Sequence, residues 1–172
     1  DPDAGDTRDG ARRYTLANIA AARNLLVARM LHNYPQATHF WACDSDVVVA
    51  PDTLSLLLAA RAPVAGAIMR NGGEGVWNFM LGEGKDGAPR RTGDEDRVAR
   101  SDDQSSQFVP WVGACTLYER RVFDDGGARY DGANGRTDEF PVMATVRAHG
   151  AWPVAVRAAR VEHVMNRDTG SV

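Results

Sequence analysis

The triplet Asp44-Ser45-Asp46 follows His39-Phe40-Trp41-Ala42-Cys43, an aromatic and apolar run that reads as a buried strand. After it come Val47-Val48-Val49 and then Pro51-Asp52, a helix start. In an extended backbone residues i and i+2 share a face, so both carboxylates are expected to project together from the end of a core strand. Two converging carboxylates repel unless a cation or a proton lies between them. A divalent metal site with oxygen ligands is the economical reading.

Four further groups bear on that chemistry. Arg23-Asn24 interrupts an apolar helical stripe, so its polar heads either lie in solvent or reach something specific. In Trp111-Val112-Gly113-Ala114-Cys115, Gly113 implies a bulge, a ligand pressed against the backbone, or simple close packing of a strand. Thr137-Asp138-Glu139 reads as a helix start, with Thr137 as cap and two acids in the first turn, a pattern the helix dipole alone favours. A carboxylate there is also well placed as a general base at a sheet edge. Glu162-His163 interrupts Val161 and Val164. Its histidine is either a hydrogen-bonded side chain or an imidazole joining carboxylates on a divalent ion, which suits Mn²⁺ better than Ca²⁺.

The elements that position these residues follow from periodicity. Residues 15–33 have helical spacing, with Thr15 as N-cap and Tyr34-Pro35 as terminator. A strand over 38–43, a helix from Pro51-Asp52 to Ala60 and a strand over 64–69 come next. Residues 71–107 are rich in glycine and charge and read as a flexible loop region with one short strand at 76–81. Regularity returns over 108–119, with a short helix over 120–123 and a loop over 124–136. A helix from Thr137 ends at Gly150, and closing strands cover 154–156 and 159–164. Alternating helices and strands imply a single α/β domain over 15–165 with a mostly parallel sheet, between a polar segment 1–14 and a tail 166–172.

The 172 residues suffice for one substantial core, and 44% hydrophobic with 25% charged content is ordinary for a soluble domain. A net charge of −3 gives no reason to expect nucleic acid as a partner. No apolar run approaches the roughly 20 residues of a membrane span. Cys43 and Cys115 read as buried free thiols, which suits a cytoplasmic setting.

The order of these parts resembles the nucleotide-diphosphosugar glycosyltransferases of the GT-A fold, in the broad family-2-like group. The residues that carry the resemblance are Ala22-Arg23-Asn24, Phe40 to Val47, Val112-Gly113-Ala114-Cys115, Thr137-Asp138-Glu139 with Gly150 beyond, and Glu162-His163. It implies a metal, Mn²⁺ or Mg²⁺, on Asp44, Asp46 and His163. It also implies a UDP- or GDP-sugar donor near Arg23, Asn24, Asp44, Ser45 and Gly113. The catalytic base would be Glu139 or Asp138, in an order reversed from the usual Glu-Asp. The acceptor, a saccharide, protein or small molecule, is not specified. Such enzymes begin with strands that cradle the nucleotide base, and residues 1–14 read as supplying none: either these strands lie outside this sequence, or this is a reduced variant, or the domain does not bind a whole donor by itself.

Two rival readings use the same residues. A strand ending in Asp-x-Asp also opens haloacid-dehalogenase-like Mg²⁺-dependent phosphatases, with Asp44 as nucleophile, Asp46 as acid/base, and Asp124-Asp125 with Asp131 as a late acidic motif. A fold with this site could also bind a nucleotide sugar without turning it over.

Overall fold

The structure is a computed structural model that describes residues 7–71, 75–101, 103, 105–132 and 137–164, with side chains from residue 15 onward. Within those bounds the chain forms a mixed α/β domain. Helix α1 (Thr7–Asn33) leads into strand β1 (His39–Cys43), the short β2 (Val47–Val48), α2 (Thr53–Ala59) and β3 (Val64–Ile68). There follow β4 (Phe79–Met80), β5 (Gly82–Glu83), β6 (Pro89–Arg90), α3 (Glu95–Arg100) and β7 (Ser106–Phe108). Strands β8 (Trp111–Val112) and β9 (Cys115–Glu119), a 3₁₀ turn (Arg120–Val122), α4 (Phe140–Ala148), β10 (Val154–Arg160) and β11 (Glu162–His163) complete the order.

The main sheet has the order β1-β9-β3-β10-β7. Only β3 and β10 pair in parallel; β1–β9, β9–β3 and β10–β7 are antiparallel. The sheet is therefore mixed, which corrects the expectation of a mostly parallel one. The reason lies in β9, which inserts between β1 and β3 and is itself buried on both faces. A strand covered on both sides reads as a continuous apolar run whichever way it points, so its sequence carries no direction.

Alternation along the strands divides the core into two layers. Val64 and Ile68 of β3, Tyr118 of β9 and Ala155 of β10 face Ala20, Val27 and Met30 of α1 and Val142, Met143 and Val146 of α4. Ala65, Ala67, Leu117, Val154 and Val156 face the opposite way, toward Leu57 of α2. The sheet is thus sandwiched between α1 with α4 on one side and α2 on the other.

Several boundaries differ from expectation. Helix α1 starts at Thr7 instead of Thr15, extending through the Ala11-Arg12-Arg13 run of good helix formers. Residues 1–6 and the tail 166–172 lie outside the described residues, and no strand precedes α1 among those described. Thr137 does not cap α4: the N-cap is Glu139, with Pro141 in the first turn, so both acids precede the helix. The far end of α4 is as expected. Gly150 has φ +78°, its N–H donates to Arg147 and the N–H of Ala151 donates to Val146, which closes a Schellman motif.

Residues 71–107 also hold more regular structure than their glycine content suggests. Glu95 is buried, and its carboxylate accepts the backbone N–H groups of Leu81, Thr92 and Gly93 at 3.2, 2.9 and 2.9 Å. Burial alone would raise its pKa, but these backbone donors outweigh it and hold the carboxyl below the ordinary range. Arg157 and Arg160 of β10 bond the backbone of Ser105 and Ala99, tying the end of this segment to the main sheet.

Candidate active site

At the C-terminal end of β1 the chain turns. The N–H of Asp44 still donates to Ala114 at 2.8 Å, but the N–H of Val47 then closes back on the carbonyl of Asp44 at 3.1 Å. Asp44 and Asp46 therefore lie within a tight turn instead of sharing one face of an extended strand, and they take separate partners. Asp44 Oδ1 accepts a hydrogen bond from Arg23 Nη2. Asp46 Oδ2 lies 2.9 Å from His163 Nε2. His163 reaches it because β2 and β11 pair, with His163 opposite Val47, and the N–H of Val164 bonds the carbonyl of Asp46.

Arg23 is the hub. Its Nη1 donates to Asp138 Oδ2 at 2.8 Å and to Glu139 Oε1 at 2.7 Å, while Nη2 takes Asp44. The guanidinium also lies 5.5 Å from the centre of the Tyr130 ring. Arg23 and Asn24 thus sit on the packed face of α1, and neither is a solvated interruption of the apolar stripe. Asn24 clamps the backbone of Tyr130 through both amide atoms, at 2.9 and 3.0 Å, which holds Tyr130 against α1.

Asp138 and Glu139 are both buried. Burial and then the charge of Glu139 push Asp138 up to about 7, against the pull of Arg23. Burial raises Asp44 as well, partly offset by Arg23. Burial works against the charge of Arg23 itself, but Glu139, Asp138 and Asp44 together outweigh it and raise its pKa.

Gly113 lies under this cluster. The N–H of Cys115 bonds the carbonyl of Gly113 at 2.9 Å, and Ala114 between them has φ +67°, a strained γ-turn geometry. A Cβ on Gly113 would stand 2.7 Å from Trp111 and 3.2 Å from Glu139, so the side chains of the site occupy the space that glycine leaves. The γ-turn is held by Asn78, which is fully buried. Its amide donates to Gly113 and Ala67 and accepts from Met69, at 2.7 to 2.8 Å. Sequence reasoning did not single out Asn78; its one signal is a lone amide within Val76-Trp77-Asn78-Phe79-Met80.

Arg23, Asp44, Ser45, Asp46, Asp138 and Glu139 line one cleft of about 420 Å³. Asn24 stands behind it as a positioning residue, and His163 is reached through Asp46. The cleft holds four carboxylates against one guanidinium, an imbalance that attracts cations. Asp46 and His163 stand within hydrogen-bond reach of each other, at 2.9 Å, and a carboxylate with an imidazole is a donor set that would hold a divalent ion. No group of three His, Cys, Asp or Glu side chains is arranged around a common point among the described residues.

Of the late acids invoked by the phosphatase reading, Asp131 bonds the carbonyl of Asp138 through its N–H at 3.1 Å, beside the cleft, and the other two go elsewhere. Asp124 pairs with Arg120, and Asp125 lines a separate cavity with Thr145 and His149. No helix among the described residues is long and apolar enough to cross a membrane. No protein-family model matches the chain, and no curated protein matches it in sequence.

Proposed function

We propose that this chain is a metal-dependent glycosyltransferase that moves a sugar from a UDP or GDP donor to an acceptor hydroxyl. The observation that carries this reading is the convergence of Asp44, Asp138 and Glu139 on Arg23, from segments up to 116 residues apart, with Asp46 lining the same cleft. Mn²⁺ or Mg²⁺, when bound by Asp46 and His163, supplies charge compensation for the donor diphosphate. Arg23 orients Asp138 and Glu139, and one of these carboxylates takes the acceptor hydroxyl proton. The acceptor oxygen then bonds the anomeric carbon as the bond to the diphosphate breaks, and the nucleoside diphosphate leaves. Because Asp138 holds its proton up to about pH 7, turnover is expected to rise through that pH.

Isothermal titration of UDP and GDP, with and without Mn²⁺, tests the donor site. Metal-dependent binding of one nucleotide is expected, weakened at least tenfold in Asp46→Ala and in His163→Ala. Absence of binding to either nucleotide would count against the proposal. The double variant Glu139→Gln with Asp138→Asn separates an enzyme from a binding module: donor binding persists while donor turnover, present in the parent, is lost.

A further inference from the structure

Cys43 and Cys115 face each other across β1 and β9. The register makes their relation specific. Hydrogen-bonded pairs occur where residue numbers are even on β1, as the Asp44 to Ala114 and Arg120 to Thr38 bonds show. Cys43 opposite Cys115 therefore occupies a non-hydrogen-bonded position, where side chains come closest and Cα atoms stand about 4.5 Å apart. That spacing lies within the range a disulfide spans. Cys43 is exposed, correcting the expectation that it is buried, whereas Cys115 is fully buried behind it.

We propose that Cys43 and Cys115 are a site of oxidative modification, where a reversible cross-strand disulfide forms at the end of β1, one residue before Asp44. The oxidant is a small-molecule disulfide of the glutathione type. Cys43, the accessible thiol, attacks it as thiolate and releases one small thiol. Cys115 then attacks the Cys43 sulfur of the mixed disulfide and releases the second. One oxidant molecule is reduced to two thiols, which carry away the two protons, and the two protein thiols become one disulfide. Burial pushes both thiols up, Cys115 to about 12, so little thiolate is present at neutrality and the reaction is slow until the pH rises. Cys43 is exposed, so the bond is open to exchange with a small thiol, which suits a reversible modification better than a permanent staple.

The placement gives the bond a consequence. Cys43 precedes Asp44, and Cys115 follows Ala114, whose carbonyl receives the Asp44 N–H. The disulfide would clamp the two strands at the point where Asp44 leaves the sheet. Formation of the bond is independent of what the cleft binds.

The test is to incubate the native chain with glutathione disulfide, alkylate, and measure intact mass and modified residues. The expected product is a monomer about 2 Da lighter, unalkylated at both cysteines and restored by dithiothreitol. Cys115→Ala should instead accumulate a glutathione adduct at Cys43, and Cys43→Ala should stay unmodified while folded. The inference is overturned if the parent chain accumulates the same adduct at Cys43, forms Cys43-linked dimers, or leaves both cysteines open to alkylation. Any of those results would leave the nucleotide titration to be read on its own.

Discussion

Arg23 is a single cation among buried carboxylates, and this ties stability to pH. The folded value of Asp138, about 7, stands above the value near 3.9 of an unfolded chain. Between those limits the folded state holds the extra proton, so this group lowers stability as pH rises from about 4 to about 7 and is constant above that. Asp138→Asn is expected to remove that slope, read from urea unfolding midpoints across the range. Arg23→Met strands two buried carboxylates, at a cost of about 3 kcal/mol at pH 8 and much less at pH 5, where Asp138 is protonated. Equal losses at the two pH values would contradict this account. The types of these residues were legible from sequence, because charges inside apolar stripes need a reason to be there. Their partners were not. Asp44 and Asp46 diverge because the backbone turns between them, and no local pattern specified that turn.

Helix α4 illustrates what an element reveals of itself in sequence. Its end is written in Gly150, whose positive φ only glycine adopts at no cost. Gly150→Ala is expected to cost about 1 kcal/mol, a fall in Tm of about 3 °C by calorimetry, with the cleft unchanged. Its start is less readable, since Thr137, Asp138 and Glu139 all look like first-turn residues and the acids serve Arg23 instead. Strand positions were legible from apolar runs, and β1, β3 and β9 fall close to where those runs lie. Neighbours and directions were not, because pairing is decided by contacts distant in sequence. The described part of 71–107 shows the same limit: Glu95, a single buried acid, organises a loop whose composition looks formless.

At the scale of the molecule, the order β1-β9-β3-β10-β7 brings segments from both ends of the chain to one cleft. Asp46 and His163 are 117 residues apart, and Arg23 and Glu139 are 116 apart. Closing such loops is slow, and contacts of this range form late for a given chain length. Refolding followed by far-UV circular dichroism should therefore lead refolding followed by nucleotide binding; coincident recovery by both probes would instead mark a single concerted step. The antiparallel insertion of β9 has the same root: a strand from the second half of the chain lies between β1 and β3 of the first half, so the cleft is assembled from segments far apart in sequence. A ligand that binds there reads the folded state of everything from Arg23 to His163 at once, and by mass action it would hold that entire span together.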